Sequence, residues 1–570
     1  MGKNKRHILN ILIGGEAGQG IVTVGNLLSK SLVRSGYSIV VTQDYQSRIR
    51  GGHNTFSIRV GTDKVVAPQE QADILVALDR DTVAFHRSYL SPNGLVVLDD
   101  SLGVDDDSFL KVPFKEISPK EFSNIAALGV VCSLLGLNES LVSEMIGESL
   151  GGGEADLSSE NSRIFIAATA WTDINAPSSY RLATPVNTIN GQLMMNGNEA
   201  IALGAIAGGM KFAAFYPMTP ATSIVLNLVH HAKKLNLIVE QAEDEIAAIN
   251  MAIGASFAGA PSMVATSGGG FALMTEGISL AAMTETPVVV AVAQRPGPAT
   301  GLPTRTEQAD LEFVLHAGHG EFPRAIFTPG TVEECFYLTS KAFEMAEKYQ
   351  GPMFLLTDQF LADSYRAVAP FDIENSPKAN PARPIDISSP YKRYEITENG
   401  ISPRLFPGIT DNLVVGDSDE HTEDGHITED LSVRKQMVEK RLRKGEGILE
   451  EVIPPDFRGE DASDILLISW GSSMGAVREA AASLKSDGKK IATLHFSQVW
   501  PLSPSQFMGH LEDARQVISI EGNATGQFSR LIRRETGFHI KRKILRYDGL
   551  PLTPEYILEG LKQIQVSEAG

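Results

Sequence analysis

Short apolar runs alternate with helix-length segments along most of the 570-residue chain, and this pattern predicts an α/β protein of several domains. In the first part of the chain, the predicted strands are residues 7–13, 38–42, 74–77 and 94–98, with a helix at 21–35. In the middle part, the predicted strands are 212–215, 238–240, 263–266 and 287–293, and the helices are 198–210, 246–258 and 271–283. In the last part, the predicted strands are 465–470, 490–495 and 516–521, with a helix at 476–484. Polar, proline-bearing stretches at about 176–192 and 370–460 separate these parts, and the second stretch contains a charged helix at 432–444.

The length of the chain agrees with this division, because a single hydrophobic core stops growing at roughly 250–300 residues. Apolar residues make up 43% of the chain and charged residues 21%, which is typical of an α/β protein with large cores. The net charge of −19 disfavours nucleic acids and anionic membranes as partners, because binding to phosphates depends on clustered Lys and Arg.

The two cysteines of the chain, Cys132 and Cys335, each lie in an apolar, helical stretch. This sparse use of cysteine fits a reducing compartment, and an iron–sulfur cluster generally needs about four thiolates, so a cluster would belong to another chain. No apolar run approaches the roughly 18 residues that span a bilayer, and Gly14 and Gly15 end the first apolar run too early for a signal peptide. We therefore expect a cytoplasmic protein.

Two loops in the first part of the chain are unusual. The glycine-rich turn at residues 14–20 does not match G-x-G-x-x-G, and Ile21 stands where a phosphate-binding loop would need Lys. A tight strand-to-helix turn is the alternative interpretation. The loop at residues 45–54 carries Arg48 and Arg50, which either bind an anion such as a CoA phosphate or form a subunit interface. The residues alone favour the interface.

Candidate site residues follow the four predicted strands of the middle part, where open α/β sheets bind ligands. Thr219 lies between two prolines, which either present its hydroxyl on a rigid turn or make it the N-cap of the next helix. Glu245 opens a helix, either as a buried catalytic carboxylate or as an ordinary partner of the helix dipole. A Ser-Gly-Gly-Gly turn occupies residues 267–270. Arg295 and Arg305 lie at or after the last of these strands, where a guanidinium can hold a carboxylate by two hydrogen bonds.

Two features of the later sequence suggest other chemistry. Residues 471–475 match the G-x-S-x-G nucleophile elbow between a predicted strand and a predicted helix, with Ser473 as the nucleophile. Such short patterns recur by chance, and the downstream candidate His495 lies in a predicted strand, so a serine hydrolase is a minor alternative. The acidic, histidine-bearing run at 417–426 has the composition of a metal site, but its hydrophilic setting favours a solvated connector.

Several motifs together resemble the α subunit of 2-oxoacid:ferredoxin oxidoreductases: residues 216–220, the helix that Glu245 opens, residues 294–298 and residues 300–306. The residues before 176 resemble the γ subunit of the same family, including the Arg-Gly-Gly loop at Arg50. The fused order is typical of the two-subunit branch, in which 2-oxoglutarate is the substrate assigned most often.

The resemblance implies a multi-domain α/β fold with four segments along the chain. These are a γ-like domain at 1–178, a pyrimidine-binding domain for thiamine diphosphate at 193–385, a connector at 386–462 and a transketolase C-terminal-like domain at 463–570.

The resemblance also implies roles for the candidate residues. Glu245 would hydrogen-bond the aminopyrimidine of thiamine diphosphate and thereby promote formation of the ylid, and Thr219 would donate to the substrate. Arg295 and Arg305 would hold the 2-oxoacid carboxylate or CoA. The other implied contacts are Tyr216 with the substrate, and Pro217, Met218 and Gly269 with the cofactor.

A β subunit is implied by what the sequence lacks. The Gly-Asp-Gly that begins the Mg²⁺ and diphosphate motif of thiamine enzymes does not occur in the chain. The family's β subunit would supply Mg²⁺ and diphosphate binding and a 4Fe–4S cluster, in an (αβ)2 heterotetramer that passes electrons to ferredoxin. With CoA as cosubstrate, the reaction would be oxidative decarboxylation to acyl-CoA and CO2, and the isolated chain would show no turnover. A non-catalytic scaffold subunit is a further alternative, although such a protein would be expected to lose Thr219, Glu245 or the arginines.

Overall fold

The computed structural model describes residues 5–46, 51–104, 106–118, 123–150, 155–186, 191–379, 391–486 and 488–569. The contacts divide the chain into two units. The first comprises Met1–Asn196, Asp363–Pro370 and Thr553–Glu555, and the second comprises Gly197–Ala362, Phe371–Leu552 and Tyr556–Gly570. In the part of the chain described, no helix is both long enough and apolar enough to cross a bilayer.

The described residues form strands in both units. In chain order, the strands are β1 (Ile8–Glu16), β2 (Ser38–Asp44), β3 (His53–Gly61), β4 (Ala72–Ala77), β5 (Leu90–Asp99), β6 (Leu110–Val112), β7 (Leu193–Met195), β8 (Phe212–Phe215), β9 (Ile238–Gln241), β10 (Ser262–Thr266), β11 (Val288–Gln294), β12 (Ile326–Phe327), β13 (Pro352–Asp358), β14 (Arg366–Val368), β15 (Asp456–Arg458), β16 (Ile465–Trp470), β17 (Ile491–Phe496), β18 (Gln498–Trp500), β19 (Val517–Glu521) and β20 (Arg542–Leu545).

The α-helices are distributed along the whole chain. In chain order, they are α1 (Ile21–Arg34), α2 (Arg80–His86), α3 (Phe114–Ile117), α4 (Ser123–Leu135), α5 (Glu139–Leu150), α6 (Ala155–Asn175), α7 (Gly197–Ala207), α8 (Thr222–Leu235), α9 (Glu245–Phe257), α10 (Gly268–Leu273), α11 (Thr275–Met283), α12 (Leu311–His316), α13 (Val332–Tyr349), α14 (Gln359–Asp363), α15 (Leu431–Glu450), α16 (Met474–Ser486), α17 (Met508–Asp513), α18 (Gln527–Thr536) and α19 (Pro554–Ala569).

The first unit is built on a mixed sheet with the strand order β6-β5-β4-β1-β3-β2-β14-β7. Strand β3 pairs antiparallel with both β1 and β2, so β1 and β2 run parallel with β3 inserted between them. The predicted loop at 45–54 is therefore too long, because β3 already begins at His53. Residues 47–50, which include Arg48 and Arg50, lie outside the described residues.

The second unit contains two sheets that share one hydrophobic core. The larger sheet has the order β18-β12-β13-β11-β10-β8-β9 and is parallel except for β18, and the smaller has the order β15-β17-β16-β19-β20. Val290 of β11 and Ile468 of β16 belong to the same cluster of buried residues. The predicted multi-domain α/β fold is confirmed, whereas the boundaries proposed at 385 and 462 stay predictions.

The predicted helix at 271–283 is wrong in one respect, because the segment forms two helices, α10 and α11, that meet at Met274. The connector also differs from the solvated segment that its composition predicts. His421 is fully buried, and its ring lies 3.9 Å from that of Tyr394, centroid to centroid. Among the described residues, no group of three or more His, Cys, Asp or Glu side chains is placed to hold a metal ion.

Candidate active site

Four neighbouring parallel strands, β11, β10, β8 and β9, end at the same edge of the larger sheet. The segments that follow them carry Thr219, Glu245, the glycine turn at 267–270 and Arg295. The carboxyl ends of parallel strands form the ligand-binding edge of such sheets. The sequence-based prediction that these residues lie at strand ends therefore agrees with the strand bounds.

Thr219 lies in the segment between β8 and α8, next to the side chain of Arg295. Helix α8 begins at Thr222 after the N-cap Ala221, so the alternative that Thr219 is the N-cap is wrong. The carbonyl oxygen of Thr219 accepts a hydrogen bond from Arg295 Nη1 at 2.7 Å. Arg295 is thereby tied to the turn that presents Thr219. Of the other predicted contacts in this segment, Tyr216 and Pro217 are exposed and Met218 is half-buried.

Glu245 is the first residue of α9, but it does not behave as an exposed partner of the helix dipole. Asp244 caps the helix, since its Oδ1 accepts a hydrogen bond from the Ala247 N–H at 2.7 Å. The Glu245 side chain is 3% exposed, and its Oε1 has no hydrogen-bond partner in the described chain. A buried carboxylate oxygen without a donor is costly, so this oxygen is available to a ligand that brings one.

The glycine turn at 267–270 packs against two carboxyl groups. A Cβ on Gly270 would lie 2.6 Å from Glu245 Oε1, and a Cβ on Gly268 would lie 2.7 Å from Asp310 Oδ1. Both distances are too short for real carbon–oxygen contacts, so a side chain at either position would have to displace a carboxyl group. A Cβ on Gly269 would make only an ordinary van der Waals contact, because its nearest neighbour would be the carbonyl oxygen of Ala299 at 3.8 Å.

Asp310 lies at the same edge of the sheet, and sequence reasoning missed it. Its backbone N–H donates to Gln294 Oε1 at 2.9 Å, which places it beside the end of β11. Burial raises the pKa of the Asp310 carboxyl to about 6, and the positive charge of Arg295 lowers it. Burial in turn lowers the pKa of Arg295, and Asp310 raises it. In the sequence, Asp310 looks like an ordinary residue at a helix start, and no motif marks it.

Arg305 contacts a different part of the second unit. A Cβ on Gly549 would lie 3.1 Å from Arg305 Cβ, and the Thr306 N–H donates to the Gly549 carbonyl at 3.1 Å. The same loop continues to Gln308, whose Nε2 donates to the carbonyl of Trp470 at 3.0 Å. The loop is thus attached to the C-terminal segment. That Arg305 acts beside Arg295 stays a prediction.

The G-x-S-x-G segment lacks the arrangement of a hydrolase. Ser473 is 2% exposed, and its hydroxyl donates to the backbone carbonyl of Trp470 at 2.6 Å. The ring of His495 makes its hydrogen bond to Ser469, with 2.8 Å between Nδ1 and Oγ. The serine hydrolase alternative is not supported.

The glycine-rich turn of the first unit is packed by its own side chains. The Gln19 side-chain oxygen accepts a hydrogen bond from the Glu16 N–H at 2.8 Å. A Cβ on Gly14 would lie 2.6 Å from a methyl carbon of Thr82, and a Cβ on Gly15 would lie 3.1 Å from Leu78 Cβ. These contacts favour the tight strand-to-helix turn over a phosphate-binding loop.

Comparison with known proteins gives matches over nearly the whole chain. Residues 203–440 match the family model described as "Pyruvate flavodoxin/ferredoxin oxidoreductase, thiamine diP-bdg", and residues 10–171 match "Pyruvate ferredoxin/flavodoxin oxidoreductase". The alpha subunit of a 2-oxoacid:ferredoxin oxidoreductase from Sulfolobus sp is 32% identical, with 98% of this chain and 97% of the relative covered. The 2-oxoglutarate oxidoreductase subunit KorA of Mycobacterium tuberculosis is 27% identical, with 93% and 88% covered.

One solved structure resembles this chain in both fold and sequence. It is the 2-oxoglutarate:ferredoxin oxidoreductase of Magnetococcus marinus, with 2-oxoglutarate, coenzyme A and succinyl-CoA bound. The TM-score is 0.92 at 31% identity, and the match covers 98% of this chain and 100% of that one. The chain therefore belongs to the family of 2-oxoacid:ferredoxin oxidoreductase alpha subunits, and it carries the family's thiamine-diphosphate-binding domain.

Proposed function

We propose that this alpha subunit acts with a β subunit in the CoA-dependent oxidative decarboxylation of 2-oxoglutarate, with electrons passed to ferredoxin. The observation that carries the proposal is the unpartnered Oε1 of Glu245, which faces the glycine turn at the edge of the sheet where Arg295 is bonded to Thr219. The substrate is inferred from the M. marinus relative, whose structure contains 2-oxoglutarate and coenzyme A.

The residues at the strand ends fit thiamine diphosphate. A buried carboxylate oxygen without a donor suits a flat, nitrogen-bearing ring, and Gly269 has no side chain that would obstruct such a ring. When bound, the cofactor supplies the nucleophilic carbon and the electron sink of the reaction. Glu245 would hydrogen-bond a ring nitrogen and move a proton there, in a setting where burial strengthens the interaction. Pro217, Met218 and Gly269 are proposed to contact the ring, as the family resemblance implies.

Arg295 is suited to hold the carboxylate of a 2-oxoacid. Its Nη1 is bound to the Thr219 carbonyl, which fixes the guanidinium plane and leaves other N–H groups to donate. The Thr219 hydroxyl would then donate to the 2-oxo group. Tyr216 and Arg305 are proposed as further substrate contacts. The KM values of single Arg295 and Arg305 variants for the 2-oxoacid and for CoA show which arginine binds which substrate.

The remaining parts of the reaction are assigned to the β subunit. The chain has no Gly-Asp-Gly, and its two cysteines are both buried, so Mg²⁺, diphosphate and the 4Fe–4S cluster would be held by the partner. Burial also raises the pKa of both thiols, which disfavours the thiolate form that a cluster needs. We propose an (αβ)2 heterotetramer.

The test is reconstitution with the partner. The chain is co-purified with its β subunit, and a panel of 2-oxoacids is assayed with CoA and a low-potential acceptor. We expect CoA-dependent turnover that is fastest with 2-oxoglutarate, and no turnover by the chain alone. Full activity of the isolated chain would contradict the two-subunit proposal, and activity that needs no thiamine diphosphate would contradict the cofactor assignment.

A further inference from the structure

Asp310 is a mostly buried carboxyl group that the protein itself does not satisfy. In the described part of the chain, its carboxyl oxygens accept no hydrogen bond, and no Lys, Arg or His nitrogen lies within ion-pair distance. Its backbone is held firmly, since the Asp310 N–H donates to Gln294 Oε1 and its carbonyl accepts from the Val314 N–H at 2.9 Å. The backbone of Asp310 is therefore held in place, whereas its partly exposed carboxyl group has no donor among the described residues.

The surroundings contain few charges that could explain this carboxyl group. Arg295, at the end of β11, is its one counter-charge among the described residues. Glu307, in the same loop, is a second acid, and its pKa is raised by burial and by Asp310. Glu312, on α12, is paired with Arg530 at 3.2 Å. The glycine turn at 267–270 carries no titratable side chain, and the Asp310 carboxyl packs against it at Gly268.

A substrate carboxylate bound to Arg295 would bring a second negative charge next to Asp310. Two carboxylates that share a poorly solvated site cannot both remain ionised, because each raises the pKa of the other. Asp310 is placed to take up the proton, because it lies beside Gln294 at the end of β11 and packs against Gly268 of the glycine turn. Burial, which raises the pKa of its carboxyl to about 6, acts in the same direction. Once protonated, its O–H can donate to the incoming carboxylate.

We propose that Asp310 is a substrate-binding residue that engages the 2-oxoacid in its neutral form and donates a hydrogen bond to the carboxylate held by Arg295. This inference rests on the proposed function, in which Arg295 binds that carboxylate. Binding of the 2-oxoacid is then coupled to uptake of one proton. Affinity for the substrate falls as pH rises above about 6, by up to about tenfold per pH unit.

The Asp310→Asn variant separates this role from a purely structural one. An amide N–H donates the same hydrogen bond at every pH without taking up a proton. We expect the KM of the variant complex for 2-oxoglutarate to be nearly independent of pH between 6.5 and 8.5, whereas the wild-type KM rises by roughly tenfold or more. If the ionised carboxylate instead serves to orient Arg295, the variant loses affinity by more than about tenfold at every pH, and the proposal fails.

The proton is counted directly by calorimetry on the assembled α–β complex. Oxalylglycine, an amide analogue that keeps both carboxylates of 2-oxoglutarate, is titrated at pH 7.5 in two buffers of different ionisation enthalpy. We expect uptake of close to one proton by the wild type and none by Asp310→Asn. Absence of uptake by the wild type would overturn the proposal, whether or not the variant assembles.

Two matched variants show which carboxyl group titrates. Glu312→Gln makes the same chemical change two residues away, on a side chain paired with Arg530, and Glu307→Gln makes it in the same loop. Both should retain proton uptake, and loss of uptake in Glu307→Gln would reassign the proton and contradict the role of Asp310. A complex that oxidises no 2-oxoacid at all would refute the proposed function instead, so the two failures are distinguishable.

Discussion

Two regions of the second unit bury carboxylates and treat them in opposite ways. At the glycine turn, Glu245 is buried and its Oε1 has no hydrogen-bond partner among the described residues, while Asp310 is partly buried. Between α11 and β11, Glu285 is fully buried, with Lys440 Nζ at 2.6 Å, Lys444 on its other oxygen and Arg393 donating to its backbone carbonyl at 2.7 Å. Burial raises the pKa of Glu285, but these three cations hold it well below its usual range.

We propose that the difference separates groups that hold the fold from groups that bind a ligand. A buried charge with several partners stabilises one arrangement of the chain. Its removal is destabilising, because it leaves the partners buried and unpaired. A buried carboxylate with no partner reduces the free energy of unfolding unless a bound molecule supplies the donor. Substitution should therefore affect activity in the first region and stability in the second.

The largest expected effect is the loss of turnover in Glu245→Gln. In the assembled complex, kcat should fall by about 10²–10⁴-fold, because an amide cannot move the proton that the aminopyrimidine must exchange. The thermal transition should stay the same or rise, since the change removes an unpaired buried charge. If the variant is as stable as the wild type and keeps the wild-type kcat, Glu245 has no role in the reaction.

Glu285→Gln should give the reverse result. Lys440 and Lys444, both buried, lose the carboxylate that they pair with, so the free energy of unfolding should decrease by roughly 3–5 kcal/mol, measured as a lower urea midpoint. Glu439→Gln on α15, the helix that also carries Lys440 and Lys444, is the control. The pair of Glu439 with Lys435 at 3.8 Å is exposed and should contribute less than about 1 kcal/mol. An equal decrease in the free energy of unfolding for the two variants would mean that the Glu285 ion pairs do not stabilise the fold.

A methyl group at Gly270 should damage the site through Glu245. A Cβ there would lie 2.6 Å from Glu245 Oε1, and displacing the carboxylate should cost about 1–3 kcal/mol, which is seen as a roughly ten- to hundredfold lower kcat/KM. Gly254→Ala on α9 is the matched control, since nothing lies within 4 Å of its Cβ position. That variant should keep its activity and gain up to about 1 kcal/mol in stability.

The smallest expected effect is that of Ser473→Ala. Turnover of 2-oxoacids should change by less than about twofold, because the hydroxyl donates to the Trp470 carbonyl inside the protein. The lost hydrogen bond should lower stability by about 0.5–1.5 kcal/mol. Disappearance of activity in this variant would revive the hydrolase alternative.

The sequence predicts the framework of the site better than its interior. The apolar runs at 212–215 and 465–470 coincide with β8 and β16, because buried parallel strands are continuous apolar segments between turns. Burial of individual polar side chains is not encoded in such patterns. Asp310 belongs to none of the motifs in the sequence. His421 lies in a hydrophilic run, yet it is fully buried. Both depend on contacts between segments far apart in the chain, which local composition does not report.

The same limit applies to the alternatives that residue type alone left open for Glu245. An acid at the start of a helix is usually exposed, and only the packing of the glycine turn against its side chain makes it buried and unpartnered. Family resemblance implies the role proposed for Glu245, and the geometry shows that a side chain at position 270 would displace its carboxylate.

The central claim is that the free oxygen of Glu245 receives its donor from thiamine diphosphate shared with the β subunit. A structure of the assembled complex with the cofactor bound tests this most directly. We predict that Glu245 Oε1 lies within about 3.2 Å of a pyrimidine nitrogen, with Thr219 and Arg295 lining the same cleft. A cofactor bound elsewhere, or a Glu245 side chain whose oxygens are both satisfied by protein groups, would contradict the account.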